Sequence, residues 1–153
     1  MSAQLDDRSQ CRRMCAADLD AVMAIENEIY EFPWTRGNFN DSLSAGYDCW
    51  VLAYAQHTVG YGVLTVAAGE SHLLNLSIAA GWQRLGLGGT LLRHLTRQAR
   101  ANGAEHMYLE VRPSNAAGRA LYAAAGFTRI ALRPGYYPAS TGREDAILLG
   151  LHL

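Results

Sequence analysis

Leu76-Ser77-Ile78-Ala79-Ala80-Gly81-Trp82-Gln83-Arg84-Leu85-Gly86-Leu87-Gly88-Gly89-Thr90 is the stretch that decides the fold. An apolar strand-like run over 76–78 leads into a glycine-rich turn. The turn opens a long helix read through Leu87, Leu91, Leu92, Leu95 and Ala99. Glycines let a backbone approach a ligand closely. Unpaired N–H groups at a helix start, with the helix dipole, favour a phosphate. Arg84 adds a fixed positive charge. Two familiar phosphate motifs fail. A dinucleotide fingerprint beginning Gly86-Leu87-Gly88 needs glycine where Leu91 stands, and a Walker loop beginning at Gly81 needs Lys-Ser or Lys-Thr where Leu87-Gly88 follows. The pattern that fits is Gln-x-x-Gly-x-Gly at Gln83, Gly86 and Gly88. Its plain alternative is a glycine-rich loop with no ligand.

Working outward, the chain reads as β-α-α-β-β-β-α-β-α-β-β, a mixed α/β sheet in one domain over 1–153. A frayed end is expected over the first ten residues and a short strand over 11–15. Asp18 is placed to cap a helix to about Tyr30, with Leu19, Val22, Met23, Glu26 and Ile29 at helical spacing. Glu26 is an irregularity in that stripe. Phe32-Pro33-Trp34 breaks the chain, and Thr35 can cap a second helix over 36–45. Strand-like runs over 49–55, 59–68 and 71–78, with turns at 56–58 and 69–70, suggest an antiparallel meander. The long helix ends at Asn102-Gly103. A strand over 106–112, a small-residue helix over 116–125, a strand over 127–132, a loop over 133–143 and a strand over 144–151 complete the chain.

Composition excludes several chemistries. The 153 residues include no lysine, so Schiff-base, pyridoxal-phosphate and Walker-type mechanisms lack their amine. The five histidines are scattered and the three cysteines (Cys11, Cys15, Cys49) show no zinc spacing, so no metal is expected. Half of the residues are apolar and 18% charged, a globular balance. No run reaches the ~18 apolar residues of a membrane helix, and the polar start MSAQLDDRSQ is not read as a signal peptide. A cytoplasmic protein with free thiols is expected, with no membrane partner. Residues 1–76 hold ten acidic residues against four arginines, a balance of −6; residues 77–153 hold four against nine, a balance of +5. Opposite signs suit a positive partner on one side and a negative one on the other, or simply a solvated surface. The whole is too weakly basic for direct nucleic-acid binding.

The glycine turn, with its strand before and helix after, resembles the pyrophosphate loop of the GNAT acetyltransferases. The resemblance continues through Tyr108-Leu109-Glu110-Val111-Arg112-Pro113-Ser114-Asn115, Ala120-Leu121-Tyr122 and Gly126-Phe127. Phe32-Pro33-Trp34, Gly135-Tyr136-Tyr137-Pro138 and Gly142-Arg143-Glu144-Asp145-Ala146 are similar to the N-terminal protein acetyltransferase branch, the ribosomal-protein-alanine enzymes above all. It covers about residues 11–153. It implies a GNAT fold, a mostly antiparallel sheet of about seven strands flanked by four helices. It also implies acetyl-CoA as donor, with no metal, and direct transfer to the α-amine of a ribosomal protein's N-terminal alanine. Two departures stand out: the usual proline before the turn is absent from Ala79-Ala80-Gly81, and Gly89 stands where a basic residue often follows Gly-x-Gly. Backbone donors survive both.

The resemblance assigns Glu110 as general base, directly or through a water; a surface glutamate paired with Arg112 is the alternative. It assigns Tyr122 as general acid against a core tyrosine, and Asn115 as a coenzyme contact against a plain N-cap. Leu76, Ser77, Ile78, Gln83, Arg84, Leu85, Gly86, Leu87, Gly88 and Gly89 would hold the donor, with a strand N–H over 76–78 serving the developing oxyanion if the strand splays. Phe32, Pro33, Trp34, Tyr136 and Tyr137 would line the acceptor groove, or pack in the core. Glu26, Glu28 and Glu31 would lie near it and suit the basic tail of a small-subunit ribosomal protein. Competing readings are an acetyltransferase for lysine side chains or small amines, a coenzyme-binding module without turnover, and a cysteine ping-pong mechanism. A monomer is expected.

Overall fold

The computed structural model describes residues 8–153, so a frayed end over 1–7 lies outside the described residues. The strands are β1 (Ser9–Arg13), β2 (Asp48–Tyr54), β3 (His57–Ala67), β4 (Glu70–Ile78), β5 (His106–Val111), β6 (Thr128–Pro138) and β7 (Arg143–His152). The helices are α1 (Leu19–Ile29), α2 (Arg36–Ser44), α3 (Leu87–Ala101) and α4 (Ala116–Ala124). The sheet order is β1-β2-β3-β4-β5-β7-β6. Only β4 and β5 run parallel, and α3 supplies the crossover that a parallel pair requires. Among the described residues the expected mixed, mostly antiparallel seven-stranded sheet flanked by four helices is observed.

Helices cover both faces. Leu19, Val22 and Ile25 of α1 and Phe39 of α2 pack on Val51, Tyr61 and Val63. On the opposite face Leu87, Leu91, Leu92, Leu95 and Ala99 of α3 meet Leu52, Leu64, Leu73 and Met107. Each buried leucine contributes about 1.5–3 kcal/mol, so packing holds α3 in spite of its two early glycines.

Several local expectations shift, each for a physical reason. Ser9 and Gln10 are not frayed, because they pair with Tyr54 and Ala53. Asp18 does not cap α1 with its side chain. Its carboxylate turns back to the Cys15 N–H at 2.8 Å and to the Arg12 guanidinium at 2.6 Å, which hold the carboxyl down at about 2. Thr35 does cap α2, accepting from the Asn38 N–H at 3.1 Å while Asn38 accepts from the Thr35 N–H at 2.9 Å. The meander turns fall one residue early, at Ala55-Gln56 and Ala68-Gly69. All four residues have positive φ, as two-residue turns matched to strand twist require. The expected loop over 133–143 is mostly strand. β6 runs to Pro138 and takes its register shift between Arg133 and Tyr137. There β7 side chains replace the ladder: Asp145 accepts the Gly135 N–H at 2.9 Å, and Arg143 donates to the Gly135 and Tyr136 carbonyls at 2.6 and 2.9 Å.

Candidate active site

The site opens where two strands part. β4 and β5 pair from Glu70–His106 to Leu73–Leu109, and the ladder then stops. Beyond that point Leu76, Ser77 and Ile78 pair with Gly62, Tyr61 and Gly60 of β3 alone. The register skips Leu74, with Leu73 facing Leu64 and Asn75 facing Val63. Such a bulge bends the strand and shifts its facing pattern by one residue. The splay the oxyanion role depends on is therefore present.

At the glycine-rich turn, Gly86 (φ 81°) begins α3, and the first turn carries no acidic residue. The first N–H groups of any α-helix lack intrahelical partners. A Cβ added at Gly81 or Gly86 would meet nothing within 4 Å, so space beside the turn is open. Arg84 also lies in the left-handed region, at φ 64°. This set of backbone donors, open glycines and one arginine fits a pyrophosphate. The side chains around it are otherwise engaged. Gln83 donates to the Ile78 carbonyl at 2.9 Å and clamps the turn to β4. Leu87 is in the core and Leu85 is exposed. Gly88 lies where a Cβ would come within 3.4 Å of Leu121 of α4, while one at Gly89 would touch Arg93. Asn115 caps α4 by accepting the Gly118 N–H at 2.9 Å.

Next to the parted strands a groove of about 470 Å³ is lined by Trp34, Leu74, Tyr108, Glu110, Arg133 and Tyr137, among others that include Tyr136. Strand alternation puts Tyr108 and Glu110 on this face and Leu109 and Val111 in the core. Glu110 Oε2 is buried without a hydrogen bond among the described residues. Its ionic neighbour is Arg133, with Nε at 3.5 Å, and not Arg112, which turns to Glu144 at 3.1 Å. Tyr122 is 8% exposed. Burial raises its phenol far above the usual value, and the Tyr30 and Tyr137 hydroxyls add to the effect, so it stays a proton donor near neutrality. Phe32 and Pro33 lie outside the groove lining, with Phe32 over the Arg112 guanidinium.

Glu26 corrects the expectation of an acidic groove rim. It is 1% exposed. One oxygen accepts the Trp34 N–H at 2.8 Å, and the other accepts from the Tyr61 hydroxyl at 2.7 Å and Asn75 Nδ2 at 3.2 Å. Ser77 donates to Asn75 at 2.7 Å, and the Tyr30 hydroxyl lies 2.6 Å from Ser77 Oγ. Glu26 thus ties Trp34 of the groove wall to the splayed strand. Sequence reasoning missed Tyr30, Asn75 and Tyr61; the charged residue inside the α1 stripe was the one visible signal. Burial pushes the Cys49 thiol up to about 11 and the Cys11 thiol upward too, away from nucleophilic use. Among the described residues no cluster of three metal-ligating side chains forms, and no helix is long and apolar enough to cross a membrane.

The acetyltransferase (GNAT) family profile matches residues 19–127. The chain is 37% identical over 134 residues to the ribosomal protein bS18-alanine N-acetyltransferase of Escherichia coli K12, covering 88% of this chain and 90% of that one. It is similar to the crystal structure of the ribosomal-protein-S18-alanine N-acetyltransferase from Escherichia coli, with a TM-score of 0.88, 34% identity and coverage of 94% and 93%. A Salmonella typhimurium protein solved with its cofactor acetyl-CoA shares the fold at TM-score 0.79 and 21% identity, over 95% of this chain and 94% of that one. The chain belongs to the GNAT family of acetyl-CoA-dependent N-acetyltransferases.

Proposed function

We propose that this chain acetylates the α-amine of the N-terminal alanine of a small-subunit ribosomal protein, S18 or its counterpart, as a one-domain monomer in the cytoplasm. The observation that carries the reading is the buried Glu110 oxygen, ion-paired with Arg133 but without a hydrogen bond among the described residues, in a groove beside the open edge of β4. The named substrate of the E. coli relative supports the choice of acceptor. An α-ammonium has a pKa of ~7.7–8.0, so a carboxylate working directly or through one water suffices to remove its proton. Glu110 takes that proton. An N–H at the open edge over 76–78 donates to the oxygen that gains charge. Tyr122 gives a proton to the departing thiolate. The turn over 83–89 holds the pyrophosphate, with Leu76, Ser77 and Ile78 alongside the donor and Asn115 near the coenzyme. Trp34, Tyr136 and Tyr137 wall the acceptor groove, with Phe32 and Pro33 beside them. Exposed Glu28 and Glu31 attract a basic tail.

Coenzyme-A release with three acceptor sets tests this: basic peptides with a free alanine terminus, the same peptides N-blocked but carrying lysine, and small amines. Turnover confined to the free α-amine and lost in Glu110→Gln is the expected result. Turnover on blocked peptides or small amines would keep the donor and overturn the acceptor.

A further inference from the structure

Arg112 stands just past the end of β5, two residues after Glu110, and its guanidinium ties Tyr137 of the groove lining to Phe32 beside the groove. Its carbon lies 4.4 Å from the centre of the Tyr137 ring and 5.3 Å from that of Phe32, within reach of cation–π attraction. One ring comes from β6 and the other from the connection between α1 and α2. Nη1 of the same guanidinium donates to the Pro138 carbonyl at 2.7 Å and to Glu144 Oε1 at 3.1 Å. Glu144 in turn accepts from the Ser114 N–H at 2.8 Å and its hydroxyl at 2.9 Å. These bonds, Ser114 first and Arg112 after, hold its carboxyl below the usual range. Ser114 immediately precedes Asn115, the cap of the helix that carries Tyr122. A single pair therefore joins the Phe32 connection, the β6–β7 hairpin, the strand of Glu110 and the start of α4.

We infer that Arg112 and Glu144 form a latch that positions Tyr137 and Phe32 and thereby sets the preference for a terminal α-amine over a lysine side chain. This rests on the acceptor proposed above. Both are positioning residues. A planar guanidinium can lie against two rings while its edge bonds two acceptors, and an ammonium cannot. With the latch released, the tyrosine wall loses its stop and the groove admits wider acceptors.

The test measures KM and kcat for Arg112→Lys and Glu144→Gln with three substrates. These are a free alanine-started peptide, its N-blocked lysine-bearing counterpart, and acetyl-CoA. Small misplacements at a reacting centre carry large kinetic effects. The expected result is a rise of about tenfold in KM for the α-amine peptide together with the appearance of turnover on the N-blocked lysine peptide, which the wild type lacks. The KM for acetyl-CoA should stay unchanged in Arg112→Lys, which leaves the Ser114–Glu144 bonds in place, and this also reports an intact fold. Both variants keeping the wild-type KM for the α-amine peptide and showing no turnover on the blocked lysine peptide would overturn the latch alone. So would loss of turnover on the α-amine peptide with none gained on the blocked lysine peptide, in both variants. A wild-type enzyme with no α-amine preference would overturn the acceptor assignment and take the latch with it.

Discussion

Glu110 leaves one carboxylate oxygen in the groove with no hydrogen bond among the described residues and with Arg133 Nε at 3.5 Å. Removing the proton acceptor while keeping the shape should isolate its role. Glu110→Gln is expected to lower kcat by about 10²–10⁴-fold, with acetyl-CoA affinity, measured by calorimetry, unchanged. Asp18 gives a different prediction. Arg12 holds its carboxyl at about 2 in the folded protein, against ~3.9 when unfolded. Its stabilisation is fully present above pH ~4 and is lost as pH falls towards 2. Urea unfolding between pH 5 and 2 should be flatter for Asp18→Asn than for wild type. At this scale the sequence alone was a poor guide. Glu110 and Tyr122 stood out only through resemblance to a family. Glu26 stood out as an anomaly without an explanation, because its three donors lie 8, 35 and 49 residues away along the chain.

Elements were more legible than single contacts, because periodicity and turn chemistry are local. The α3 stripe, the Thr35 cap and the meander were all readable. The turns slipped by one residue because polar His57 and Glu70 look like turn residues yet occupy ladder positions. β6 was misread beyond Leu132 because its Pro-Gly signals a loop, whereas Arg143 and Asp145 from the neighbouring strand supply the missing bonds. Glycines in β3 give the prediction that belongs here. A Cβ at Gly60 would sit 2.7 Å from the Ser77 carbonyl oxygen, while one at Gly62 would first meet the end of the Leu95 side chain at 2.6 Å. Backbone cannot step aside as a leucine tip can. Gly60→Ala should therefore cost about 1–3 kcal/mol and Gly62→Ala less, read from denaturant midpoints. Gly60→Ala should also disturb the Ser77 stretch of β4 and so lower activity more than Gly62→Ala.

Across the whole molecule the charge asymmetry, −6 in the first half and +5 in the second, survives folding in an altered form. Glu26 is buried and leaves the surface, while Glu70 joins the groove lining beside His72. If basic tails are drawn by surface charge, raising salt should raise KM for a basic peptide and barely affect one with a neutral tail. Charge reversal at Glu28 and Glu31 should show the same contrast; equal losses for both peptides would remove the electrostatic account. The four-rung junction between β4 and β5 has a consequence of its own. The sheet is two antiparallel halves sewn together along a seam that is stitched only partway. Amide protons along the unstitched part, over 74–78, should exchange with solvent sooner than those in the stitched part over 70–73. A donor lying in the seam would act as the remaining thread, so deuterium uptake there should slow when acetyl-CoA is added.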